Sequence, residues 1–221
     1  MKIRSIIPAR GGSKAIPKKN ITLIDGKPLL AYTIEASLNS VVGAETYVSS
    51  DSEEILSVAE ECGAKSVRRP AEIATDTSQS EETLLHFLES HPCDILVFIQ
   101  ATSPFLKAEH LNAGIQKLID NPNLNSVFSV FRENWLPLWS TDRTPVDWDI
   151  ERRPMRQQVP ERYVENGAFY ISRTEAVLKH RLRYWPPLDF FVMSETESLH
   201  VETEENAQLI SQIVKMRRAQ G

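Results

Sequence analysis

Ile6-Ile7-Pro8-Ala9-Arg10-Gly11-Gly12-Ser13-Lys14-Ala15-Ile16-Pro17-Lys18-Lys19-Asn20 is the stretch that decides how this chain is read. Ile3, Ile6 and Ile7 predict a buried strand, which then breaks into glycine, serine and cations. Adjacent glycines permit positive φ and let backbone N–H groups turn toward a ligand. Arg10, Lys14, Lys18 and Lys19 concentrate charge there, and six cations precede the first acidic residue, Asp25, in a chain of net charge −5. A local reversal of sign of this kind suits a polyanion, with a triphosphate the natural candidate. A solvated basic turn is the plainer alternative. The coincidence of glycines, cations and a strand end favours the binding loop. The loop has neither the Walker spacing nor G-x-G-x-x-G, which weighs against a P-loop ATPase and a nicotinamide enzyme.

At 221 residues, 41% apolar and 25% charged, the chain is expected to form one domain over 1–221 with a sizeable core. Its mild acidity argues against a nucleic-acid partner. The two cysteines, Cys62 and Cys93, lack metal-ligand spacing and read as free thiols in a reducing compartment. No apolar run approaches a membrane span and no signal-peptide core is evident, so a cytoplasmic location without membrane contact is expected.

Strand-like and helix-like runs alternate, the pattern of an α/β fold with a mostly parallel central sheet flanked by helices. Strands are predicted near 2–8, 45–49, 65–68, 94–99, 126–131, 167–171 and 190–193. Helices are predicted near 28–40, from Asp51 as N-cap to Gly63, after a Ser78–Glu81 capping box, over 109–120, from Thr174, and over 203–217. Ile95-Leu96-Val97-Phe98-Ile99 is the most apolar run and the best central strand. Residues 132–163 interrupt the pattern with four prolines, six arginines and three of the four tryptophans. Part of this segment is expected to pack on something, as a protruding arm.

The opening stretch resembles the nucleotide-binding loop of the acylneuraminate (CMP-sialic acid) cytidylyltransferases. Further similar pieces follow in the family's order. They are Gly26-Lys27-Pro28-Leu29-Leu30-Ala31-Tyr32-Thr33, Ser49-Ser50-Asp51, Arg69-Pro70-Ala71-Glu72-Ile73-Ala74-Thr75-Asp76-Thr77, Gln100-Ala101-Thr102-Ser103-Pro104 and Asn166-Gly167-Ala168-Phe169-Tyr170-Ile171. The resemblance implies a Rossmann-like nucleotidyltransferase fold and transfer of CMP from CTP to a nine-carbon 2-keto sugar acid, with pyrophosphate released. N-acetylneuraminate leads, with legionaminate and pseudaminate as rivals. An impaired nucleotide-binding protein and a nucleotidyltransferase for a neutral sugar phosphate stay open as different classes.

The resemblance also assigns roles. Arg10, Gly11, Lys14 and Lys19 would hold the phosphates and Asn20 the nucleotide, while Arg69 and Ser80 would read cytosine. Gln100, Arg156 and Tyr170 would contact the sugar acid, with Arg10, Lys19 and Gln100 as the catalytic set. An in-line attack at phosphorus asks for positioning and positive charge rather than covalent help, which these residue types supply. The 132–163 arm would cross to a second copy in a homodimer. Family members bind magnesium through Asp-x-Asp, where this chain has His200-Val201-Glu202. Glu202 is therefore the expected Mg²⁺ ligand, and the imidazole would suit Mn²⁺ better. Ala101 stands where the family usually has proline.

Overall fold

The computed structural model describes residues 1–13 and 16–220. The chain runs through β1 (Ile3–Pro8), β2 (Leu23–Ile24), β3 (Lys27–Pro28), α1 (Leu29–Leu38), β4 (Thr46–Ser50), α2 (Glu53–Glu61) and β5 (Lys65–Arg68). It continues through α3 (Ser80–Ser90), β6 (Ile95–Ile99), α4 (Ala108–Asp120), β7 (Ser126–Arg132), β8 (Leu138–Trp139) and β9 (Pro145–Val146). It closes with β10 (Tyr163–Arg173), α5 (Thr174–His180), β11 (Leu188–Met193) and α6 (Glu204–Gln220).

Seven strands form the main sheet in the order β11-β7-β10-β6-β1-β4-β5. β1 pairs in parallel with β4 and β6, β4 with β5, and β7 with β11. Only β10 runs against its neighbours, β6 and β7. The sheet is therefore mostly parallel, as the alternating pattern predicts. From β1 the chain moves outward through β4 to β5, then returns to place β6 on the other side of β1. The strand order reverses there, and in sheets of this type the reversal opens a crevice beyond the carboxyl ends of the strands.

Because successive strand residues face opposite sides, Ile7 joins one core layer and Ile6 the other. The first layer lies under α1, α2 and α4 and is aliphatic, with Leu30, Ile55 and Ile115 over Val48, Val97 and Ile171. The second lies under α3 and is aromatic, with Tyr47, Phe87, Phe98, Phe128 and Tyr170. A third cluster fixes α6 through Ile210 to Ile24, Leu29, Phe105 and Val201. The apolar run of β6 is buried at every position, as its composition predicts.

Local chemistry corrects several expectations. The α2 N-cap is Ser52, and Asp51 instead accepts the Gly11 N–H at 2.9 Å. The α3 capping box falls one residue later, on Gln79 and Glu82, whose carboxylate accepts the Gln79 N–H at 2.9 Å. Gly11 and Gly12 are not among the positive-φ residues, so the paired glycines do not serve by left-handed backbone. Gly11 is needed for space, since a Cβ there would lie 3.0 Å from the Ser52 Cβ. β10 starts earlier than predicted, so Arg132 and Tyr163 at the limits of the 132–163 segment belong to β7 and β10.

Between those strands the segment makes a small β8–β9 hairpin. Trp139 and Trp148 meet edge to face at 5.1 Å, the Trp148 indole donates to the Leu138 carbonyl, and Arg153 lies over Trp135 and Trp148. Leu136, Leu138, Trp139, Ile150 and Met155 remain exposed. Trp135 and Trp148 thus pack partly within the segment, which leaves several large apolar side chains exposed. No helix among the described residues is long and apolar enough to cross a membrane.

Packing of α4 on β10 depends on Gly114, where a Cβ would sit 2.7 Å from Ile171 Cδ1 and 3.0 Å from Phe169 Cε2. Alanine would gain about 1 kcal/mol of helix propensity but overpack a closed layer at a cost of about 1–3 kcal/mol. Gly114→Ala is expected to lower the urea midpoint; a raised midpoint would show that the layer relaxes freely.

Candidate nucleotide site

A cavity of about 310 Å³ opens over the carboxyl ends of β1 and β6, where the strand order reverses. Its wall includes Arg10, Gly12, Ser13, Lys19, Asn20, Arg69, Ser80, Gln100, His200 and Glu202. Residues far apart in sequence meet here because β1, β4, β5 and β6 end side by side. The Ala9 N–H donates to the Ser49 carbonyl at 2.9 Å and the Arg69 N–H to the Ser50 carbonyl at 2.8 Å, so both post-strand loops are tied to the end of β4.

Arg69 is the most constrained of these groups, at 7% exposure. Its Nη1 donates to Thr83 Oγ1 at 2.9 Å, while Nε and Nη2 are buried without partners among the described residues. Burial pulls its pKa down, Asp51 opposes that shift and Arg10 adds to it. A buried guanidinium with two unused donors is costly, and an acceptor-rich ligand would remove that cost. Lys19 is also pulled down, first by burial; Glu202 opposes the shift and Arg10 adds to it. The Asn20 amide donates to the Arg10 carbonyl at 2.9 Å, fixing the backbone that carries the guanidinium. Lys18 pairs with Glu54 on the surface and does not line the cavity.

Gln100 is held from behind. Its N–H donates to the Ala168 carbonyl, and its side chain lies against Gly167, at φ +71°. A Cβ at Gly167 would come within 3.0 Å of Gln100 Oε1. The segment carrying His200 and Glu202 is tied down at several points. The Val201 N–H donates to the Thr102 carbonyl, and the Asn166 amide donates to Ser198 Oγ at 2.8 Å. Glu197 pairs with Lys107 at 2.7 Å, lies 3.6 Å from His110, and accepts from the Ser194 hydroxyl. Burial alone would raise the Glu197 pKa, but Lys107, Ser194 and His110 overcome it and hold it at about 2. His200 Nε2 lies 3.0 Å from Glu202 Oε1.

Three sequence-predicted residues are placed elsewhere. Gly11 is absent from the wall, its amide engaged by Asp51, and Gly12 and Ser13 line the cavity instead. Tyr170 is buried behind Phe98, stacked on it at 5.3 Å, with its hydroxyl donating to Glu165. Its pKa is raised by burial first and by Glu165 second. Arg156 lies on the arm, donates to Asn134, and lines a second cavity of about 220 Å³ with Arg132, Trp135 and Arg162. Lys14 lies outside the described residues. Sequence reading missed Asp51, Thr83, Gly167 and Glu197 as supports of the site. Of these, Gly167 stood in a quoted motif without a stated reason.

A family model described as cytidylyltransferase matches residues 5–183. The chain belongs to the cytidylyltransferase family. It is 41% identical over 179 residues to N-acylneuraminate cytidylyltransferase B of Danio rerio, covering 78% of this chain and 42% of that protein. It is 31% identical over 227 residues to the N-acylneuraminate cytidylyltransferase of Escherichia coli O18:K1:H7, covering 99% of this chain and 54% of the relative. The chain thus spans about half or less of the length of these relatives. CMP-N,N'-diacetyllegionaminic acid synthase of Legionella pneumophila is 30% identical over 233 residues and matched over 98% of its length. Among solved structures, CMP:2-keto-3-deoxy-manno-octonic acid synthetase complexed with CTP superposes with a TM-score of 0.75 at 16% identity. That match covers 98% of this chain and 100% of the other, and shows a shared fold.

Two substitutions test this geometry. Gly167→Ala forces an L-residue into left-handed backbone against Gln100, so a stability loss of about 1–3 kcal/mol is expected. Chemical denaturation measures it, and unchanged stability would disprove the close fit. Glu197 is ionised in the fold well below the ordinary value of 4.5. Its stabilisation is therefore complete above that value and lost as pH falls toward about 2. Melting temperature should fall across this window in the parent and less steeply in Glu197→Gln.

Proposed function

We propose that the chain transfers CMP from CTP to the anomeric hydroxyl of a nine-carbon 2-keto sugar acid, N-acetylneuraminate first among them, and releases pyrophosphate. The observation that carries the reading is Arg69, buried at the cavity wall with two unpartnered N–H donors. Cytosine presents O2 and N3 as adjacent acceptors, which suits a fixed guanidinium, and Ser80 stands in the same wall to assist. Arg10 and Lys19 supply charge to the triphosphate, and Lys14 is assigned there by family resemblance. Gln100, braced by Gly167, orients the acceptor.

The hydroxyl oxygen forms a bond to the α-phosphorus as the bond to the β-phosphate oxygen breaks. Pyrophosphate leaves with that electron pair, and the hydroxyl proton is released. Arg10 and Lys19 stabilise the charge growing on the departing phosphates.

Among the described residues no group of three His, Cys, Asp or Glu side chains is close enough to cage a metal ion. One exposed carboxylate at the cavity wall nonetheless fits Mg²⁺, which keeps several waters and takes further ligands from phosphates. Glu202 would hold it, with Mn²⁺ an alternative because His200 is adjacent. When bound, the ion would neutralise part of the triphosphate charge.

The exposed apolar side of the 132–163 arm supports a homodimer in which Arg156 meets the acceptor carboxylate of the second copy. A cytoplasmic location, where CTP is made, accords with this reading. A legionaminate acceptor is the second reading, favoured by the legionaminic acid synthase that the chain matches over nearly its whole length.

The test is pyrophosphate release from CTP with Mg²⁺ or Mn²⁺ across N-acetylneuraminate, legionaminate, pseudaminate and 3-deoxy-octulosonate. Turnover is expected with one nonulosonate. Arg69→Ala should raise the KM for CTP roughly ten- to a hundredfold, the worth of hydrogen bonds to a charged group. Silence with all four acids, or an Arg69 variant with unchanged KM, would refute the reading.

A further inference from the structure

The cavity has a wall that the proposed chemistry leaves unused. Ile73, Ala74, Thr75, Ser78 and Gln79 line it from the loop between β5 and α3. That loop carries Asp76, whose Oδ1 accepts from Arg10 Nη1 at 2.6 Å. Arg10 itself lines the cavity, so a carboxylate oxygen of the protein already sits on the guanidinium assigned to the phosphate tail. Carboxylate and phosphate oxygens use the same donor geometry of arginine, so a phosphate competes for the Nη1 N–H that Asp76 holds. The loop also has internal support. Thr75 and Ser78 hydrogen-bond through their hydroxyls at 2.8 Å, and each backbone N–H donates to the other's hydroxyl at 3.1 Å. The turn beside Asp76 therefore keeps its shape if the ion pair opens. Both partners are partly exposed, at 33% and 43%, which makes exchange with a ligand inexpensive.

We propose that Asp76 is an internal competitor for Arg10. An incoming polyphosphate displaces the Asp76 carboxylate from the guanidinium, and Asp76 returns when pyrophosphate leaves. Asp76 then sets the affinity for the phosphate tail without touching the base or the acceptor. Besides occupying Arg10, it places a negative charge beside the tail, which acts in the same direction. The inference rests on the reading that Arg10 binds the phosphates.

The sign of one substitution tests it. Calorimetric Kd values would be taken for CTP, inorganic pyrophosphate and cytidine, with and without Mg²⁺. The proteins would be the parent, Asp76→Asn, Asp76→Ala, Arg10→Gln and the Arg10→Gln/Asp76→Asn double variant. Both Asp76 variants should bind CTP and pyrophosphate more tightly, by roughly two- to fivefold, the range that an exposed ion pair sets. Cytidine affinity should not move, and in the Arg10→Gln background the gain should shrink to the smaller part due to the Asp76 charge alone. If the Asp76 variants weaken CTP binding, with or without Mg²⁺, or leave it unchanged while Arg10→Gln weakens it, the competitor role is overturned and the phosphate role of Arg10 stands. If Arg10→Gln leaves CTP affinity unchanged, the phosphate assignment fails first and the competitor role with it.

Discussion

The reversal of strand order between β1 and β6 is the constraint on which the site depends. A parallel sheet built outward from β1 and then resumed on its other side cannot cover the carboxyl ends at that point. Arg69, Asp51 and Gln100 directly follow β5, β4 and β6, Arg10 stands two residues past the end of β1, and the strand order makes the row Arg69, Asp51, Arg10, Gln100. Neighbouring strands lie about 4.8 Å apart, so the row is about 14 Å long, comparable with an extended nucleoside triphosphate. On the proposed reading, base, phosphates and acceptor are laid across the sheet rather than along any one strand. The antiparallel β10 extends the row by one strand and brings Gly167 up against Gln100.

Rigidity in this row is obtained by spending charged and polar groups on one another. Asp51 holds the Gly11 amide, Asn20 holds the Arg10 carbonyl, and Thr83 holds one arm of Arg69. Each contact removes a group that a ligand could have used and fixes one that it still can. Arg69 is the extreme case, since two donors stay buried and unpaired. Folding bears that cost, so little rotamer entropy remains to be lost on binding. Arg10 follows the opposite scheme: it is partly exposed and already paired. On the proposed reading the two arginines of one cavity are therefore suited to different tasks, Arg69 to fixed recognition and Arg10 to exchange.

Much of this was legible in the sequence, for reasons that can be named. The apolar run of Ile95–Ile99 leaves no solvent face and so reads as a central strand. The cations after Pro8 stand out because no acid precedes Asp25. What periodicity cannot carry is which side chain caps which backbone group. Asp51 and Ser52 both have N-cap chemistry, and only the nearness of Gly11, forty residues away, assigns Asp51 to the loop. The paired glycines suggested left-handed backbone, whereas Gly11 answers a steric demand from Ser52, a long-range fact with no local signature. Gly167 is the converse: its left-handed φ can be suspected locally, but the reason, a glutamine side chain against its α-carbon, comes from another strand. Tyr170 is assigned to the sugar acid by the resemblance, whereas its aromatic neighbours place it in the core layer behind Phe98.

The arm poses a final problem of consistency. Trp135 and Trp148 are partly covered within the segment, yet Leu136, Leu138, Trp139, Ile150 and Met155 are left exposed. Water contact of so many large apolar groups on one short segment is unfavourable and calls for a covering surface. Separately, the arginines and lysines of the cavity wall among the described residues are Arg10, Lys19 and Arg69, all assigned to the nucleotide on the proposed reading. An acceptor acid would bring a further carboxylate, and among the described residues Arg156 has one side-chain partner, the neutral Asn134. Two copies exchanging arms would cover the apolar side and carry Arg156 toward the partner's cavity in one step. Neither surface energy nor charge balance alone requires that arrangement. It is favoured because the same movement answers both.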